Sequence, residues 1–131
     1  MNQVKSLPES TEILLLKTHF EEYRDQEIYW RQNPGYQEAL AVLFRKHFTS
    51  LKAFGFDSIS LTSLNHRSTG KKAHQAFLKN DNPILIIEDM SLKKLSKSIK
   101  PISLIVSFLP IDKSDGSPVN CILQYEFNID E

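Results

Sequence analysis

Ile13-Leu14-Leu15-Leu16-Lys17-Thr18-His19-Phe20 is the stretch whose reading decides the fold of this chain. At helical spacing, Ile13, Leu16, Phe20, Tyr23 and Trp30 share one side, with Glu27 in the one polar slot of that stripe. The spacing predicts a single helix, started by Ser6-Leu7-Pro8-Glu9 as a capping box and stopped by Asn33-Pro34-Gly35. Being apolar on several sides at 13–16, this helix is expected to touch more than one neighbour. A second helix is predicted from about Tyr36 to Ala53, with Leu40, Leu43, Phe44, Phe48 and Leu51 on one face and Gly55 as its stop. The short link between them implies an antiparallel helical hairpin over residues 1–55, which sets His47 opposite Glu21 or Glu22.

Beyond residue 56 the pattern changes. Asp57-Ser58-Ile59-Ser60-Leu61-Thr62 alternates like a half-buried strand. Lys71 to Lys79 reads as a short helix, and Asn80-Asp81-Asn82-Pro83 breaks it. Ile84-Leu85-Ile86-Ile87 and Ile102 to Leu109 are apolar on both faces, as central strands are. Leu92 to Ile99 reads as a third short helix between them. Asp112 to Pro118 has the composition of a hairpin loop, and Val119 to Ile129 alternates as a last strand. The order is ααβαβαββ. The fold expected is α+β: the 1–55 hairpin packed on a mixed, mostly parallel four-stranded sheet formed by a 56–131 βαβαββ unit, in one domain.

Composition narrows the function classes. The chain has 131 residues, 16 basic and 16 acidic, so nothing global points to nucleic acid or acidic membranes. The balance is uneven: residues 56–109 hold eight basic against four acidic, and residues 110–131 hold one Lys against five acids. One cysteine, Cys121, allows no intrachain disulfide, and no stretch is long and apolar enough for a signal peptide or membrane span. The expectation is a soluble cytoplasmic protein. The four histidines and Cys121 show no metal-ligand spacing, so neither a metal nor a cofactor is expected.

Side chains suited to binding concentrate at Asn65-His66-Arg67-Ser68-Thr69-Gly70-Lys71-Lys72. As a turn opening a helix, it would pair unpaired N–H groups with His66, Arg67 and Lys71, which suits an anion. Were the flanking strands parallel, Glu88 and Asp89 would stand beside it at the carboxyl edge of the sheet. The order from Ile59 to Ile129 is similar to the latter half of the N-acetyltransferase (GNAT) fold. Arg67 and Gly70 match that family's pyrophosphate-binding turn, while Lys72 departs from its last small position. That resemblance implies acyl-CoA-dependent transfer as one alternative. A nucleic-acid-binding face built from the basic residues between 67 and 97 (Lys71, Lys72, Lys93, Lys94 and Lys97 among them) is another. The reading preferred is a non-enzymatic binding or regulatory protein. It would act through protein contacts at Tyr23, Tyr29 and Trp30, or through strand 119–129 pairing with a second chain, with the 65–72 turn as an anion-binding edge.

Overall fold

The computed structural model describes residues 7–96 and 98–127. The chain divides into two compact units, Met1–Lys93 and Lys94–Glu131. Instead of one four-stranded sheet, there are two separate sheets, one of three parallel strands and one of two antiparallel strands. The mixed α and β content is as expected.

The decisive stretch is a strand. Ile13–Leu16 forms β1 and pairs in parallel with β2, Ala53–Phe56, which pairs in parallel with β3, Leu85–Ile87. Among the described residues the predicted N-terminal helical hairpin is therefore absent. Ser6 lies outside the described residues, and Pro8 closes a turn onto Thr11 rather than opening a helix. Of the supposed helical stripe, Phe20 and Tyr23 fall in a 3-10 turn and Trp30 in a one-turn helix α1, Glu27–Arg31. A four-residue apolar run satisfies both periods, and periodicity alone does not separate them. What separates them is β2, whose backbone offers β1 a parallel ladder.

The two longer helices, α2 (Glu38–His47) and α3 (Arg67–Leu78), pack against each other on one side of this sheet. Between helices and sheet lies a core of Ala41, Phe44, Phe48, Leu51, Phe54, Phe56, Leu61, Ala73, Phe77 and Ile84. Phe54 stacks on Phe77 and meets Phe44 edge-on. Burying each such ring contributes roughly 1.5–3 kcal/mol. On the opposite face, Gly55 leaves room for Met90 and Leu15, which a side chain there would strike. Arg45 reaches from α2 to donate to the carbonyls of Ala76 and Phe77, satisfying the last turn of α3. His47 does not meet Glu21 or Glu22; Glu21 instead binds Ser91 and Leu92, and Glu22 pairs with His19.

The strand expected at 57–64 is also absent. Residues 58–63 are a loop, because the sheet position is taken by the preceding Ala53–Phe56, buried along its whole length. The described residues of 92–98 form turns instead of a helix, and Lys97 lies outside them.

The second unit is a hairpin of β4, Ile99–Phe108, and β5, Val119–Phe127. The 102–109 run is a strand but not a buried one, since most of its residues are exposed. An irregularity in register between Pro101 and Ser103 shifts the phase of β4. Before it, Ile99 and Pro101 face the same side as Phe127 and Tyr125; after it, Leu104, Val106 and Phe108 continue that side opposite Leu123, Cys121 and Val119. The bulge accommodates a proline that cannot donate to a ladder, and it sends Lys100 and Glu126 together to the other face. One face of the hairpin is consequently apolar over its full length.

Candidate functional site

The carboxyl edge of the parallel sheet collects acidic side chains, and each is occupied by the protein itself. Asp57, directly after β2, is fully buried. It accepts from the Thr18 amide (2.9 Å), the His19 amide (2.7 Å) and the Thr18 hydroxyl (2.5 Å). These bonds hold the turn after β1, where His19 takes a left-handed φ of 65°. Glu21, also buried, accepts from the Leu92 amide at 2.8 Å and the Ser91 hydroxyl at 3.0 Å. Asp89, left-handed at φ 57°, accepts a short hydrogen bond from the Tyr29 hydroxyl and pairs with Arg24 at 2.7 Å. Burial, together with that hydrogen bond to Asp89, holds the Tyr29 hydroxyl well above the usual tyrosine range. Burial likewise pushes Tyr36 up. This edge fastens loops to strands. Among the described residues, no cluster of three or more His, Cys, Asp or Glu is placed to hold a metal ion.

The 65–72 segment is mostly helix rather than turn. Leu64–His66 is a 3-10 turn capped by Ser63, and α3 begins at Arg67 with no side-chain cap. Ser68 and Thr69 are helical residues of its first turn, and Lys71 is exposed on the second. Gly70 is buried because α3 crosses Thr62 so closely that a Cβ would lie 2.5 Å from the Thr62 Cβ. His66, Thr69 and Gly70 do line one cavity, of about 210 Å³. Its other walls are Gly35, Tyr36, Gln37 and Ser63, so the cavity lies between the starts of α2 and α3. The sequence did not link these segments. They are joined because buried Asn33 donates to the carbonyls of Ser60 and Thr62, and the Tyr36 amide donates to Leu61. Arg67 is exposed beside the cavity wall.

Glu88 and Asp89 part company. Asp89 turns to Tyr29 and Arg24, whereas Glu88 accepts from the Leu61 amide at 2.7 Å and the Ser60 hydroxyl at 3.1 Å. Glu88 also lies 3.6 Å from His74 Nε2, whose Nδ1 is 3.2 Å from the Thr62 hydroxyl. Thr62, His74 and Glu88 thus stand in the order of nucleophile, base and orienting acid, a constellation that sequence spacing did not reveal. Its geometry serves structure: Gly70 packs directly onto the Thr62 hydroxyl, His74 Nδ1 is also 3.1 Å from the Gly70 carbonyl, and Glu88 already binds the 60–61 loop.

Of the aromatic trio, Tyr29 is 0% exposed and belongs to the interior, while Tyr23 and Trp30 are 42% and 50% exposed. The larger apolar surface is on the hairpin, where Phe108 and Phe127 are 67% and 64% exposed. Cys121 lies on that face, and partial burial pushes its thiol up, away from the reactive thiolate. Its loop, from Phe108 to Ser117, encloses an open concavity of about 570 Å³. Among the described residues, no helix is long and apolar enough to cross a membrane. Comparison with protein-family models, with curated proteins and with solved structures finds no match in any of the three.

Proposed function

We propose that this chain is a non-enzymatic binding protein that acts through protein–protein contacts, with the β4–β5 hairpin as its principal contact element. One observation carries the reading: a two-stranded sheet with one face apolar from end to end and its aromatic residues exposed. Two strands alone are marginal in water, and exposed apolar faces of this kind mark contact surfaces. The acidic groups elsewhere support the same reading, since Asp57, Glu21 and Asp89 are each bonded to groups of the protein itself. The free thiol of Cys121 suits a reducing compartment such as the cytoplasm. The test compares capture by the full chain and by Phe108→Thr/Phe127→Thr. Protein retained by the first and released by the second supports the reading; equal retention sinks it.

The cavity between α2 and α3 favours a second reading, a small anion seated at His66 and Thr69 where two helix starts converge. Thermal shift with phosphate, pyrophosphate, acetyl-CoA and an oligonucleotide separates the alternatives. Stabilisation by phosphate that His66→Ala removes supports a simple anion site. A shift confined to acetyl-CoA, lost in Arg67→Ala, would move the acyltransferase alternative ahead. A steeply salt-dependent shift with the oligonucleotide alone would favour the basic face.

A further inference from the structure

We infer that the partner of the hairpin is a second copy of this chain, packed apolar face to apolar face across a two-fold axis; this rests on the docking role proposed above. Phe108, Tyr125 and Phe127 are 67%, 43% and 64% exposed. With the remaining apolar residues of the face they present roughly 600 Å² per copy, or about 1,200 Å² in a pair, at the lower bound of stable interfaces.

Residues close to a two-fold axis meet their own counterparts, so a charge at the centre of the face would meet its like. Among the described residues the face carries no charge: Lys100 and Glu126 pair on the opposite face, and Asp112, Lys113 and Asp115 lie in the loop. The chain as a whole carries no net charge, so nothing at long range keeps copies apart. A face without charges also has nothing with which to select a charged partner. Two stacked hairpins supply the second layer that a lone pair of strands lacks, and packing against another sheet at about 10 Å is the ordinary solution. The outward pair Ile105 and Ile122, flanked by Ser103, Ser107, Asn120 and Gln124, lies on the polar face and takes no part.

The experiment measures mass against concentration for the full chain by sedimentation. It uses wild type, Phe108→Thr/Phe127→Thr on the apolar face, and Ile105→Thr/Ile122→Thr on the other. The expected result is a dimer in the micromolar range, weakened roughly 100-fold or more by the first pair and little by the second. Because the first pair of changes could instead unfold the hairpin, wild-type Cys121 supplies an independent reading: its alkylation should slow at dimer concentrations and recover on dilution. A monomer at all concentrations, a dimer broken by the Ile105/Ile122 changes alone, or a monomer that sediments with phosphatidylcholine vesicles would each overturn the inference. An apolar dye separates the two failures. If monomeric wild type binds it and the Phe108/Phe127 variant does not, the face is open and the docking role survives. If neither binds it, both readings fall.

Discussion

In residues 7–93 three parallel strands and two helices enclose Phe54, Phe56 and Phe77 completely, whereas in residues 98–127 two strands leave Phe108 and Phe127 about two-thirds exposed. Both regions are rich in apolar residues. They differ in layers: the first has helices over one sheet face and Met90 against the other, and the second has a single sheet with two faces to cover. They differ also in how loops are held. In the first, buried Asp57 and Glu21 anchor backbone amides 38 to 71 residues away in sequence. In the second, the 109–118 loop is closed by short-range contacts such as that of the Ser114 hydroxyl with the Gly116 carbonyl. A layered core is stable by itself, whereas a single two-stranded layer is marginal in water.

Paired substitutions sharpen this contrast. The largest effect is expected from Phe54→Ala, which should cost about 3–5 kcal/mol by opening a cavity, against less than about 1 kcal/mol for Phe108→Ala in dilute solution. Denaturant midpoints followed by Trp30 fluorescence compare them, and similar costs would break the distinction. Asp57→Ala strands the Thr18 and His19 amides in the interior and should cost roughly 2–4 kcal/mol, while Asp112→Ala in the exposed loop should be near neutral. Gly70→Ala forces α3 off Thr62 at about 1–3 kcal/mol. Gly116→Ala has no heavy atom within 4 Å to meet and should change little.

The smallest expected effect depends on pH. The folded state holds the Tyr29 proton more tightly than the unfolded chain, whose tyrosines ionise near pH ~10. Its contribution to stability is therefore complete below about pH 10 and is lost as pH rises toward the folded value. Tyr36 acts in the same direction. Tyr29→Phe should cost about 1 kcal/mol at neutral pH through the lost bond to Asp89. It should also flatten the decline in denaturant midpoint expected of the wild type as the pH rises above about 10. An unchanged alkaline slope would show that Tyr29 ionises as freely in the fold as outside it.

Helix α3, strand β3 and the β4–β5 hairpin were legible in the sequence because each is specified locally: by helical spacing at Ala73, Ala76 and Phe77, by an apolar run before Glu88, and by a polar loop between alternating runs. β1 was not legible, since four apolar residues fit strand and helix alike until β2 is beside them. The density of polar and basic side chains at 65–72 is legible in the sequence, but the contacts around that segment are not. Glu88 reaches His74 and Leu61, Asp89 reaches Tyr29, and the cavity wall opposite His66 comes from Gly35, Tyr36 and Gln37.

By itself the sequence determined the apolar and polar residues of each segment, the breaks at Pro34, Pro83 and Pro118, and the apolar–polar alternation of 119–127. Only the tertiary structure decided that Ile13–Leu16 is a strand, that Asp57 is a buried anchor, and that the 102–108 run stays exposed. The physical reason is the same in each case. Burial and backbone pairing belong to the partner a segment finds, and that partner lies far away in sequence.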